Sequence, residues 1–281
     1  MKDLTHPVFP MLPAQLPTGA IHLDSTTANF DFFPRPVQRI IEVSWAQHLG
    51  EVREAQRLRY QVFATELGAC LPSTVPGHDI DFFDDYCEHL LVRDSASGQV
   101  IGTYRVLTPT QAKRAGSTYS DTEFDLTRLS DLRDRMVELG RSCVHVDHRN
   151  GGVIMALWGA LFEFMDRNHL DTMTGCASIP MLHNGLVTGD AAASIWHRLH
   201  QTHMADSQFQ VQPRLPLPVE ALDHSLQIEP PALIKGYLRL GAKVLGAPAW
   251  DPDFNTADLP MMLRTSDLPL RYRKLYFMGA A

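Results

Sequence analysis

Four cysteines, Cys70, Cys87, Cys143 and Cys176, occur in 281 residues without a Cys-x-x-Cys spacing. That excludes a zinc ribbon or a dithiol redox motif and leaves free thiols in a reducing compartment as the expectation. No apolar run reaches the roughly 20 residues that a membrane-spanning helix needs; the longest, Gly151 to Met165, is broken by Glu163. Positive charge is in deficit, with 25 Lys and Arg against 32 Asp and Glu and a net charge of -7, so no nucleic-acid partner is expected. Also missing are Gly-x-Ser-x-Gly, a Walker loop and His-Glu-x-x-His, the marks of a serine hydrolase, a nucleotide phosphatase and a zinc protease. The opening Met1-Lys2-Asp3 is polar and soon interrupted by proline, unlike a secretion leader, and a cytoplasmic location is expected.

What the chain does contain is an ordinary globular mixture, 44% hydrophobic and 20% charged, enough for one large core. Residues 1–42 are proline-rich and aperiodic and are expected to form an arm, extended over the domain or mobile. Its Phe30, Phe32 and Phe33 beside Arg35 and Arg39 suit either packing on the core or insertion at a membrane interface. Residues 43–281 read as one domain. "EVREAQRLRYQVFATELG" has helical spacing and a glycine stop at Gly68. "HLLVRD" and "QVIGTYRVLT" form a hairpin, and "VELGRSCVH" a further strand. A helix from about Gly152 to Asn168, the strand "DTMTGCASI" and the helix "GDAAASIWHRLHQTHM" follow. After a proline-rich insertion at about 207–231 come the helix "PALIKGYLRLG" and closing strands in "AKVLGAPAWD" and "ADLPMMLRTSDL". This order predicts an α/β domain with a mixed central sheet and helices on both faces.

The junction of "VELGRSCVH" with the next helix carries Arg149-Asn150-Gly151-Gly152. Free amides at a helix start, two glycines and an arginine suit an anion such as a phosphate; a plain strand-turn-helix corner with a surface arginine is the alternative. The order and the turn resemble the GNAT acyltransferase superfamily, whose pyrophosphate loop, Arg/Gln-x-x-Gly-x-Gly/Ala, lies here. Arg149 and Gly152 fit that pattern and Ile154 departs from it, which turns the expectation away from coenzyme A as donor.

"LRYQVFATELGA", "DIDFFDDY" and "VELGRSCV" resemble the signatures of acyl-homoserine-lactone synthases. Arg59, Phe63, Asp81, Asp84, Arg105, Glu138 and Arg141 match position by position, while Ala69 stands where those enzymes have tryptophan. A closer resemblance, over roughly residues 50 to 265, is to the L-ornithine N-acyltransferases. "CEHLLVRD", "GTYRVL", "YSDTEFDL", "ELGRSCVHVDHRNGGVIMALW" and "LIKGYLRLGAKVLGAPAWDPDFNTADL" carry it.

This resemblance implies transfer of a 3-hydroxyacyl group from acyl carrier protein to the α-amine of L-ornithine, giving lyso-ornithine lipid. No cofactor beyond the acyl carrier protein thioester is implied, and no metal. It also implies peripheral contact with the inner membrane face, because the product is an amphiphile. Other readings are a lactone synthase or a non-catalytic carrier- or lipid-binding module. An attacking amine must be neutral, so a base is required. Glu138 is the candidate, with Arg141 beside it; the alternative is a buried ion pair with Arg59 or Arg105. Arg59, Phe63, Asp81, Asp84 and Arg105 are expected at the substrate, and Arg149, Asn150, Gly151 and Gly152 at the donor.

A side-chain amine near ~10.4 is neutral far less often than an α-amine near ~8. Carboxylates holding the side-chain ammonium would protect it further. Asp79, Asp81, Asp84 and Asp85 are the expected supply, unless they only cap and solvate their loop. Lys113, Arg114, Arg128, Arg133 and Arg135 form a basic cluster suited to an acidic carrier protein or simply to solvent. His197, His200 and His203 recur at helical spacing without a carboxylate or cysteine nearby in sequence, so no zinc is expected. Cys143 reads as a buried strand cysteine, with an acyl-accepting nucleophile as the alternative.

Overall fold

The computed structural model describes residues 41–71 and 74–277. The N-terminal arm, with its phenylalanines and arginines, lies outside the described residues except for its last two positions, Ile41 and Glu42, which belong to a strand. That strand, β1 (Ile41–Trp45), is followed by α1 (Leu49–Tyr60), β2 (Glu88–Asp94), β3 (Val100–Leu107), α2 (Pro109–Ala115), α3 (Ser120–Glu123) and β4 (Met136–Val144). Then come α4 (Gly152–Arg167), β5 (Thr172–Pro180), α5 (Asp190–Thr202), α6 (Ala232–Arg239), β6 (Lys243–Val244), β7 (Ala249–Asp251), β8 (Thr256–Arg264) and α7 (Leu270–Phe277).

The sheet order is β1-β2-β3-β4-β5-β8-β6, with β7 also paired to β8. Every neighbouring pair is antiparallel except β4 and β5. That parallel pair needs a crossover, and α4 supplies it. Period-two alternation sends successive residues of β2 to opposite faces. Leu90 and Val92 meet Leu157 and Leu161 of α4, while Leu91 joins Ala55 and Leu58 of α1. A sheet buried on both faces has near-continuous apolar strands, and all eight residues of β3 are buried.

Helix α1 passes at Gln61 into a six-residue π-helical turn reaching Glu66, a form often found at functional sites. The helical run ends at Leu67, and Gly68, with φ 79°, is the glycine stop that the spacing suggests. From Gln210 to Pro231 the chain holds a two-residue strand pairing, a short 3-10 turn and an isolated bridge from Pro216 to Ala249. No described helix is long and apolar enough to cross a membrane.

Candidate active site

Three arginines and three aspartates meet where α1, β3 and β4 face the segment that precedes β2. Arg59, fully buried in α1, donates from Nε to Asp79 Oδ2 at 2.7 Å and from Nη1 to Asp84 Oδ1 at 2.8 Å. Arg105 of β3 reaches Asp81 at 2.5 Å and Asp84 at 3.1 Å. Arg141 of β4 donates to Asp81 at 3.0 Å. Burial works to raise the Asp84 pKa, but the guanidiniums of Arg59 and Arg105 outweigh it and hold the carboxyl well below its usual range. The set is balanced, so removing one member would strand a buried charge, the costly case. Asp79, Asp81 and Asp84 are therefore already neutralised by the chain's own cations, and Asp85 is exposed. Expected at a substrate ammonium, Asp79, Asp81 and Asp84 are placed by the fold against the chain's own arginines. Arg59, Asp81 and Asp84 lie behind the cavity wall, whereas Phe63, Arg105, Glu138 and Arg141 line the cavity.

The cavity, about 250 Å³, exists because β4 and β5 part company. Their pairing covers only Met136 to Glu138 against Thr172 to Thr174. Beyond that the strands diverge, and Gly140, Arg141, Cys176 and Ser178 face the gap. At the point of divergence a β-carbon on Gly175 would lie 2.2 Å from the Leu139 carbonyl oxygen, so only glycine fits. On the other edge of β4, Arg141 and Ser142 together oppose the single Tyr104 of β3, a β-bulge. Arg141 takes the left-handed conformation, φ 51°, which re-aims its side chain as bulges next to active sites do. Its guanidinium lies 4.8 Å from the Tyr119 ring centre and 4.5 Å from that of Phe254.

Glu138 is held by main chain and not by arginine. Its Oε2 accepts from the Tyr119 amide at 2.7 Å and its Oε1 from the Ser120 amide at 2.6 Å. Burial raises its pKa, against the hydrogen bonds from Ser120 and Tyr119 and the charge of Arg105. The expected alternative, an ion pair of Glu138 with Arg59 or Arg105, is not what forms. A desolvated carboxylate with a raised pKa, lining a cavity, has the properties of a general base.

The sequence reading missed the opposite wall. Asp251 of β7 and Asp258 of β8 line the same cavity and are 5% and 3% exposed. Asp251 Oδ1 accepts from the amides of Asp253 and Phe254, and Tyr119 donates its hydroxyl to Asp251 Oδ2 at 3.3 Å. Asp258 bonds the hydroxyls of Thr256 and Ser178. Glu123 completes the group: burial, then Asp251 and Asp258, push it up to about 7, and burial with Asp251 pushes Asp258 up to about 6. Among the described residues none of the three has an ion-pair partner. One signal in the sequence could have found Asp258: it is a single charge inside the apolar run "ADLPMML".

A second, smaller cavity, about 60 Å³, shares Tyr104, Leu139, Cys176, Ala177 and Tyr237 with the first. It runs under α4 among Trp158, Leu161, Met173 and Met261, an apolar lining suited to an acyl chain. The hydroxyls of Tyr104 and Tyr237 bond each other at the shared wall. Cys143 packs beneath α1, where burial pushes its thiol up to about 12, so it is no thiolate nucleophile.

Arg149, Asn150, Gly151 and Gly152 are exposed at the start of α4, away from the cavity lining. Arg149 pairs with Glu66 at 2.6 Å, and Asn150 Oδ1 accepts from the Gly152 amide at 3.1 Å. The chain itself thus fills part of this anion cradle. In the basic cluster, Lys113 pairs with Asp134, Arg133 with Asp121 and Arg135 with Asp171. His197 stacks on His224, and His200 lies tilted against Trp196.

Residues 58–159 match the family model described as an acetyltransferase (GNAT) domain. The chain is 35% identical over 251 residues to the L-ornithine N(alpha)-acyltransferase of Rhodobacter capsulatus, covering 84% of this chain and 94% of that one. It is 34% identical over 254 residues to the protein of the same name from Brucella abortus, covering 84% and 88%. Among solved structures, the AHL synthase LasI is similar with a TM-score of 0.48 at 14% identity, covering 86% of this chain and 96% of that one.

Proposed function

Because this chain belongs to the L-ornithine N(alpha)-acyltransferase family, we propose that its cavity performs the first acylation of ornithine lipid synthesis. The acyl group of a thioester passes to the α-amine of L-ornithine. The observation that carries the reading is Glu138: a buried carboxylate of raised pKa, fixed by two amides where β4 and β5 part.

The α-ammonium gives a proton to Glu138, directly or through one water. The neutral nitrogen attacks the thioester carbon, and the tetrahedral oxyanion collapses with cleavage of the C–S bond. The thiolate leaves and takes up a proton; the new amide nitrogen loses one. One C–N bond is formed and one C–S bond broken, with a net release of one proton. Arg141, fixed between two rings, sits beside Glu138 to position the substrate. The donor in this proposal is a 3-hydroxyacyl group on acyl carrier protein, its chain running from the cavity into the apolar pocket under α4. No cofactor or metal is needed for this chemistry. The departure at Ile154 and the tie between Arg149 and Glu66 support a carrier protein over coenzyme A.

The product must enter a bilayer, so peripheral contact with the inner face of the cytoplasmic membrane is part of the proposal. Flotation with anionic vesicles tests that part, and no binding by the intact protein removes it. For the reaction, purified protein is given acyl carrier protein thioester and ornithine. An amide product supports the reading. A lactone formed when S-adenosylmethionine is supplied indicates the synthase instead, and no product indicates a binding module.

A further inference from the structure

Two carboxylates on the cavity wall take no part in the acyl transfer proposed above. Asp251 and Asp258 line the same space as Glu138. We propose that Asp251 and Asp258 hold the side-chain ammonium of the amino-acid substrate and so select a diamino acid. The inference rests on the acyltransferase reading above.

Distance is the first support. Tyr119 joins the two walls: its amide donates to Glu138 and its hydroxyl to Asp251. One tyrosine thus bridges the base and Asp251, with a hydrogen bond at each end. Its amide-to-hydroxyl span is comparable to the separation of the α- and δ-nitrogens in an extended ornithine, which would likewise add a hydrogen bond at each end. An ornithine lying along Tyr119 with its α-nitrogen at Glu138 would bring its ammonium to Asp251 and Asp258.

Charge is the second support. Asp79, Asp81 and Asp84 are matched by Arg59, Arg105 and Arg141, whereas the far wall has only hydroxyl and amide donors in hydrogen-bond contact, with Arg141 acting on Asp258 from beyond ion-pair distance. Buried carboxylates without a cation are unfavourable. An incoming ammonium removes that penalty, and an apolar side chain of equal length leaves it in place.

The third support is Arg141. Its Nε and Nη2 face Asp79 and Asp81 at 3.2 and 3.0 Å, while among the described residues its Nη1 bonds no acceptor and the side chain lines the cavity. A guanidinium with donor capacity left on the cavity wall suits the α-carboxylate of an amino acid. The three charged groups of ornithine then each have a counterpart. The ammonium held at the far wall stays protonated and cannot attack, which confines acylation to the α-nitrogen.

Steady-state kinetics with ornithine and with norvaline, the same chain without the terminal amine, test this. Wild-type protein is expected to prefer ornithine strongly, with lysine and 2,4-diaminobutyrate between the two. In Asp258→Asn and Asp251→Asn the KM for ornithine should rise roughly tenfold to a hundredfold, the range for a lost hydrogen bond to a charged group. The kcat and the donor KM should change little, and the preference over norvaline should shrink by the same factor. An unchanged ornithine KM in folded variants, or an equal loss on both substrates, overturns the proposal. If neither variant folds, the wild-type ranking decides: norvaline turned over as well as ornithine overturns the proposal alone. Absence of any amide from ornithine overturns the acyltransferase reading and this one with it.

Discussion

Glu138 carries two burdens that one substitution separates. In Glu138→Gln the amide nitrogen must face either the Tyr119 or the Ser120 amide, both of which are donors. One buried N–H then loses its acceptor, at about 1–3 kcal/mol of stability. Loss of a positioned base should lower amide formation by about 100- to 10,000-fold. Single-turnover assays and thermal melts read the two effects apart, and near-normal turnover would remove Glu138 as the base. The far wall gives a pH dependence of its own. Asp258 at about 6 and Glu123 at about 7 lie above their ordinary values of 3.8 and 4.5. Their protonated forms favour the folded state, so that contribution is full below the ordinary values and is lost as pH rises through about 6–7. Once ionised they attract a cation. The rise in melting temperature caused by ornithine should therefore be larger at about pH 8 than at about pH 5. His89, whose pKa burial lowers, titrates in the opposite sense in the free protein, so the ligand-induced difference is the quantity to measure. Equal shifts at both pH values would contradict the assignment.

At the scale of elements, the parting of β4 from β5 makes the site, and Gly175 guards it. Gly175→Ala puts a methyl group 2.2 Å from the Leu139 carbonyl oxygen, and such overpacking costs about 1–3 kcal/mol. Because Leu139 adjoins Glu138, turnover should fall along with stability in denaturant unfolding, and a variant unchanged in both would mean that the divergence tolerates a side chain. The elements themselves were largely legible. Helical spacing marked α1, and the continuous apolar run Leu90-Leu91-Val92 marked β2 as a strand buried on both faces. Edge strand β1 does alternate Ile41, Val43 and Trp45 with Glu42 and Ser44, but five residues straddling the end of an aperiodic arm are too short a signal to stand out. The bulge was hidden as well: nothing in "ELGRSCV" announces a left-handed arginine. Motif spacing brought Glu138 and Arg141 to notice. It could not tell that Arg59 and Asp84, 25 residues apart, would consume each other's charge. Nor could it place Asp251 against Tyr119, 132 residues away, because that meeting depends on the whole sheet order.

On the scale of the whole molecule, the cavity proposed for the amino acid adjoins a smaller apolar one beneath α4. On the same proposal, donor choice is set outside both. Lys113, Arg133 and Arg135 are exposed or half-exposed ion-pair members, and pairs of that kind are weak enough for an acidic partner to displace. The acyl carrier protein thioester should therefore exceed the matching acyl-coenzyme A in kcat/KM, with an advantage that shrinks as salt rises. Equal values for the two donors would remove the case for protein docking. The central claim, that the α-amine meets Glu138 while the side-chain ammonium is held at the far wall, has one direct test. Ornithine carrying heavy nitrogen only at the α-position is acylated by the wild-type protein, and the product is fragmented in a mass spectrometer. The heavy atom should be found in the amide. If it is found in the free amine, the substrate lies the other way round and Glu138 serves the side-chain nitrogen.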